Sequence, residues 1–153
     1  MVASNYAGLS VVYRQQGLYH EGRDFAERSV TIYRQQQDEQ GLADSLNKLG
    51  LLKIRLRDYQ AAQSHFEESL ALCHKHHMEY GISVAMHNLG LIADDQKDYD
   101  TAIQQYNKSL AIKQRIGDQY NMAATLNNLG LIYREQKELD KANETLMRSL
   151  NIK

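Results

Sequence analysis

LNNLGLIYREQKELDKANETLMRSLNI, residues 126–152, has two close copies upstream at a distance of 40 residues. MHNLGLIADDQKDYDTAIQQYNKSLAI begins at Met86 and LNKLGLLKIRLRDYQAAQSHFEESLAL at Leu46. Gly50, Gly90 and Gly130 share one position of this register, as do Ala62, Ala102 and Ala142, and Ser69, Ser109 and Ser149. One more step of 40 residues lands on Leu9, Tyr19, Ser29, Val30 and Ile32, a fainter first copy in which Ser10 and Gly22 replace the glycine and alanine. Self-similarity at a constant period is the signature of a repeat array. Four copies fill one domain of 153 residues, with boundaries near 1–37, 38–77, 78–117 and 118–153.

Within a copy the apolar residues recur at helical spacing, as in Leu46, Leu49 and Leu56, then Tyr59, Ala62, Phe66 and Leu70. Each copy therefore reads as a pair of helices, and the absence of proline agrees, because proline breaks a helix by clash and by loss of a donor. Short polar turns at Gly17, Arg57–Asp58, Lys97–Asp98 and Lys137–Glu138 require the two helices of a pair to run antiparallel. Between copies, Gly117 suits a left-handed helix end and Asp118 a cap for the next helix, with Asp38 at the equivalent point. First helices are expected near 2–16, 39–56, 79–96 and 119–136, and second helices near 19–36, 59–76, 99–116 and 139–153. A mid-helix glycine costs up to about 1 kcal/mol relative to alanine, so Gly50, Gly90 and Gly130 imply a compensating close approach, with Ala62, Ala102 and Ala142 expected on the facing side.

Leu129-Gly130-x-x-Tyr133 followed by Ala142-x-x-x-Leu146 resembles the tetratricopeptide (TPR) repeat family, and the resemblance covers essentially the whole chain. It departs from the common form in its period of 40 residues rather than about 34, in the missing terminal proline, and in Lys53 and Ala93 at a usually aromatic position. The long period and the Leu126-Asn-Asn-Leu129 segment resemble the subgroup found in kinesin light chains, polarity adaptors and many bacterial sensors. The resemblance implies an all-α fold, a right-handed α-α superhelix (TPR solenoid) of four helix-turn-helix repeats, whose first helices line a concave groove that holds a protein or peptide partner.

At about 100° per residue, Asn47, Leu51 and Ile54 share a stripe distinct from the one that carries Leu46, Leu49 and Gly50 towards the paired helix. That stripe is expected to face the groove. Its counterparts are His87, Leu91 and Asp94 in the third copy, Asn127, Leu131 and Arg134 in the fourth, and Ala7, Val11 and Arg14 in the first, with Lys48, Asn88 and Asn128 alongside. An amide both donates and accepts, so Asn47, Asn88, Asn127 and Asn128 could hold the backbone of an extended peptide, or could bond locally between helices. In the related long-repeat proteins, asparagines of the Leu-Asn-Asn-Leu segment are implicated in holding peptide main chain, a role the resemblance carries to Asn127 and Asn128. The ladder of Val11, Leu51, Leu91 and Leu131 could grip apolar side chains or could pack against the adjacent first helix. A carboxylate clamp of the chaperone-binding kind is not expected, since leucines stand at its amide positions and Lys48 alone does not make one.

Lysine plus arginine total 18 against 19 aspartate plus glutamate, a balance that offers no field for nucleic acid or anionic lipid. Cys73 is the only cysteine, which suits a reducing, cytoplasmic setting, and no apolar run approaches membrane-spanning length. His74, His76 and His77 read as a charged helix end rather than a metal site, and Asp94, Asp95, Asp98 and Asp100 lack the glycine and glutamate of a calcium loop. No cofactor, metal or catalytic set is expected, and hence no enzymatic activity. The second helix of the last copy leaves Leu146, Leu150 and Ile152 without a following helix, so the sequence reads as an excerpt from a longer array, with end-to-end self-association as the competing outcome. The expected function is a scaffold that binds a peptide or helix of a partner protein. The alternatives are a peptide-sensing regulatory module of a multidomain signalling protein and a self-associating structural repeat.

Overall fold

A left-handed residue followed by aspartate separates most of the helices in the computed structural model, which describes residues 1–152. Among the described residues there are eight helices and no strands: α1 (Val2–Gln15), α2 (Tyr19–Gln35), α3 (Glu39–Arg55), α4 (Tyr59–Lys75), α5 (Glu79–Asp95), α6 (Tyr99–Ile116), α7 (Gln119–Glu135) and α8 (Leu139–Leu150). Each element starts where the repeat pattern places it and ends within a few residues of the expected point. Gly17 and Gly117 adopt positive φ, as expected of glycine, but Gln37, Arg57, His77, Lys97 and Lys137 do the same without that freedom. Arg57 and Asp58 show how such an end closes: the Arg57 amide donates to the Ile54 carbonyl, and the Asp58 amide to the Lys53 carbonyl at 2.9 Å, a Schellman pattern. The carboxylates of Asp38, Asp58, Asp98 and Asp118 then accept from the amide three residues on, at 2.9, 3.3, 3.2 and 3.3 Å.

The chain forms two compact units, residues 1–81 and 82–153. In the first, Ala26 and Val30 of α2 pack with Leu42, Leu46, Leu49 and Leu52 of α3, with Tyr19, Tyr33 and Leu72 at the margin. In the second, Ala102, Tyr106 and Leu110 of α6 pack with Leu126, Leu129 and Ile132 of α7, against Ala93 of α5. Both cores are thus built between a second helix and the first helix that follows it.

The mid-helix glycines work differently from expectation. A Cβ on Gly50 would lie 2.5 Å from Cε1 of Phe66, on Gly90 2.8 Å from the Tyr106 ring, and on Gly130 2.6 Å from Leu146. The glycine makes room for the large side chain four residues after the repeated alanine, and the alanines Ala62, Ala102 and Ala142 are simply buried. The repeated serine also acquires a physical role. Oγ of Ser29, Ser69, Ser109 and Ser149 donates to the carbonyls of Ala3, Ala43, Ser83 and Ala123 at 2.9, 2.8, 2.7 and 2.8 Å, tying each second helix to the first helix of its own pair. These carbonyls belong to helical residues, so the serine adds a second bond to an acceptor with two lone pairs. Ser69→Ala would in addition strand the buried Asn47 amide that donates to Ser69 Oγ at 2.8 Å. The expected cost is about 2 kcal/mol in chemical denaturation, against less than about 0.5 kcal/mol for Ser64→Ala on the exposed side of the same helix.

Candidate functional site

Along α3 the expected groove stripe is only partly open. Asn47 is buried and its Nδ2 donates to Ser69 within the helix pair. Lys48 is half-buried and pairs with Asp44 one turn back, while Leu51 and Ile54 are half-buried. Asn47 therefore bonds locally and does not look outward.

The second unit holds a richer arrangement on α5 and α7. His87 and Leu91 on α5 are half-buried, Asn88 is buried, and Asp94 lies at the far end of the stripe. On α7, Asn127 and Arg134 are exposed, and Asn128 and Leu131 half-buried. The two helices meet where His87 Nδ1 lies 3.1 Å from Thr125 Oγ1. Leu91 is part of the margin of the unit's core, so this rung of the apolar ladder carries packing as well as surface. Tyr106 of α6 forms the floor beneath: its ring packs over Gly90, lies 5.2 Å from the His87 ring, and its hydroxyl is 3.5 Å from Asn128 Nδ2. One buried tyrosine thus supports a side chain from each wall helix.

A lysine lies inside this unit. Lys113 is buried, and its ammonium donates to Thr125 Oγ1 at 2.8 Å. Thr125 Oγ1 is also within 2.9 Å of the Asn121 carbonyl, to which it donates. The single hydroxyl proton is then committed, so His87 Nδ1 is the donor to Thr125 and its Nε2 is left as an acceptor. Burial, reinforced by the Lys113 charge, pushes His87 down to about 3, and burial pushes Lys113 down to about 8. Near neutral pH the imidazole is uncharged. Asp94 is pushed above the usual carboxylate range by burial and by Asp95 and Glu135. The sequence placed His87, Asn128 and Leu131 on or beside the expected stripe, and carried no sign that Tyr106, Lys113 and Thr125 lie against them. The aromatic at the Ala102-x-x-x-Tyr106 position was visible only as a packing signal, and nothing local connects positions 113 and 125.

The model of the tetratricopeptide repeat matches residues 1–75 and 81–153. The chain belongs to the tetratricopeptide repeat family. No curated protein matches this repeat protein in sequence, but solved structures match its fold. BtubC (BKLC) from P. vanneervenii is 23% identical with a TM-score of 0.84, over 98% of this chain and 62% of its own. A Rap protein complexed with Competence and Sporulation Factor is 19% identical with a TM-score of 0.91, over 97% of this chain and 42% of its own. A kinesin-light-chain-like protein of Podosopora anserina is 17% identical with a TM-score of 0.79, over 97% of this chain and 74% of its own. At these identities the likeness is one of fold. The TPR chain thus spans less than two thirds of the first two neighbours. Among its described residues no helix is long and apolar enough to cross a membrane.

Proposed function

We propose that the protein holds an extended segment of a partner protein against the stripe of α5 and α7, with Asn127 and Asn128 bonding the partner's main chain. The observation that carries this reading is the contrast between equivalent amides. Asn47 is buried and spent on Ser69, whereas Asn127 is exposed and Asn128 half-buried beside the apolar Leu131 and the cationic Arg134. A main chain needs paired donors and acceptors at regular intervals, which adjacent amides supply. The His87 Nε2 acceptor adds a further polar point on the neighbouring helix, and Leu91 and Leu131 supply the apolar contact. Asp94 and Arg134 give the far end of the stripe both signs of charge, so a partner of mixed charge suits it better than a uniformly acidic one. On α3, Lys48, Leu51 and Ile54 extend the same chemistry within the first unit. The Rap neighbour, solved with Competence and Sporulation Factor, supports binding of this general kind on such a fold. A balanced net charge of −1 supports a protein partner over nucleic acid.

Asn127→Arg places a long side chain over the stripe at an exposed position and is expected to leave stability within about 0.5 kcal/mol of wild type. Peptides selected from a displayed random library on the wild-type protein should bind this variant at least about tenfold more weakly in calorimetry. Equal affinity would move the site off α7.

A further inference from the structure

Two helix hydroxyls fix which way the hydrogen bonds of the stripe run. In the second unit Thr125 Oγ1 gives its hydrogen to the Asn121 carbonyl at 2.9 Å, so it can only accept from its other neighbours. Those are the Lys113 ammonium at 2.8 Å and His87 Nδ1 at 3.1 Å. The neutral His87 ring therefore spends its one hydrogen on Thr125, and Nε2 keeps a lone pair. In the first unit Ser69 Oγ gives its hydrogen to the Ala43 carbonyl and accepts from Asn47 Nδ2, both at 2.8 Å. Asn47 stands one period before His87 in the sequence, and its Oδ1 is buried with no hydrogen-bond partner among the described residues. The same repeat position thus spends its donor on a helix hydroxyl twice, and keeps an acceptor each time. Asn47 is buried and His87 half-buried, so His87 is the one of the two that a partner reaches.

We propose that His87 Nε2 accepts a main-chain N–H of the bound segment, with Thr125 as the positioning residue that holds the ring in the accepting tautomer. This rests on the reading of α5 and α7 as the binding stripe. Charged groups are turned away. A carboxylate would meet a lone pair with no hydrogen to share, because burial and the Lys113 ammonium keep the imidazole unprotonated near neutral pH. A lysine or arginine side chain would be repelled by that ammonium, which shares Thr125 Oγ1 with the ring. A neutral donor remains, and the backbone N–H is the one that an extended segment offers at regular intervals.

Long-range proton–nitrogen correlation spectra of the 153-residue chain at about pH 7 read the tautomer directly. Wild type should carry the His87 hydrogen on Nδ1. Lys113→Met should keep that tautomer, because Thr125 still gives its hydrogen to Asn121. In the Lys113→Met background, Thr125→Val should lose the tautomer and Thr125→Ser should retain it. Binding is read with a peptide that is selected on the wild-type protein and weakened by Asn127→Arg. Its main-chain N–H groups are replaced one at a time by ester oxygen. At one position the replacement should weaken binding to wild type by at least about fivefold in calorimetry, and binding to His87→Phe by no more than about twofold. A hydrogen on Nε2 in wild type, a tautomer indifferent to Thr125→Val, or N–H replacements that act alike on wild type and His87→Phe would overturn this role of His87 and leave the stripe in place. The absence of any peptide that Asn127→Arg weakens would sink both.

Discussion

Gly8→Ala should stabilise the protein and Gly50→Ala should destabilise it, although both replace a glycine inside a first helix. Alanine gains about 0.5–1 kcal/mol over glycine in a helix interior, by restricting the unfolded chain and by better propensity. At Gly8 nothing lies within 4 Å of the new Cβ, so the gain is realised. At Gly50 the Cβ would lie 2.5, 2.7 and 2.9 Å from three atoms of the Phe66 ring, which is fully buried and has nowhere to move. Overpacking of this kind costs about 1–3 kcal/mol for a single methyl, which exceeds the helical gain, and Gly50→Val should cost more again. Phe66→Ala alone should cost about 3–5 kcal/mol by emptying the site. In the double variant Gly50→Ala, Phe66→Ala the clash is gone, so the alanine at position 50 should become neutral or favourable. Urea denaturation of the four proteins would measure a coupling of about 1–3 kcal/mol between these positions. Additive effects would mean that the glycine serves something other than the ring.

Acidification should unfold wild type more readily than His87→Gln. In the unfolded chain the imidazole titrates near its ordinary value of about 6.5, whereas in the fold it is held down to about 3 by burial and by Lys113. Between those values the unfolded state binds a proton that the folded state refuses. The stability associated with the neutral imidazole is therefore complete above about pH 6.5 and is lost as pH falls towards 3, by an amount bounded by about 5 kcal/mol. Carboxylates contribute to acid unfolding in both proteins, so the decisive quantity is wild type minus variant, measured by denaturant midpoints at about pH 7 and pH 4. Lys113 acts at the other end of the scale. Its folded value of about 8 lies below that of the unfolded chain, so the cost of burying its charge is present in full below pH 8 and is relieved as pH rises towards about 10.5. Lys113→Met should be more stable than wild type at pH 7 by up to about 3 kcal/mol, and the difference should shrink as pH rises.

How far the sequence revealed this molecule depended on the range of the interactions. Helix starts were legible because the aspartates at 38 and 118 act on amides three residues away, and Asp58 and Asp98 proved to do the same. Left-handed ends at Arg57 or Lys97 carried no glycine to mark them. The position of Gly50 announced close packing, but its partner was the Phe66 ring and not Ala62, because spacing along one helix does not say which side chain of the other leans over it. The stripe that placed Asn47 and Asn88 towards the groove treated the open arc as wide. In the structure both amides are buried, as the paired helix narrows that arc. Thr125 and Lys113 were invisible for a further reason: a hydroxyl between a lysine 12 residues back and a histidine 38 residues back is a product of packing, with no local pattern to betray it.

We propose the exposed stripe of α7, beside α5, as the place where a partner lies. A photoreactive side chain installed at Asn127, and for comparison at the exposed Lys108 of α6, would test it in cells of the source organism. On irradiation, covalent adducts to a partner polypeptide are expected from position 127, suppressed by Asn128→Ala, and none from position 108. Adducts from position 108 alone, or equally from both, would contradict it.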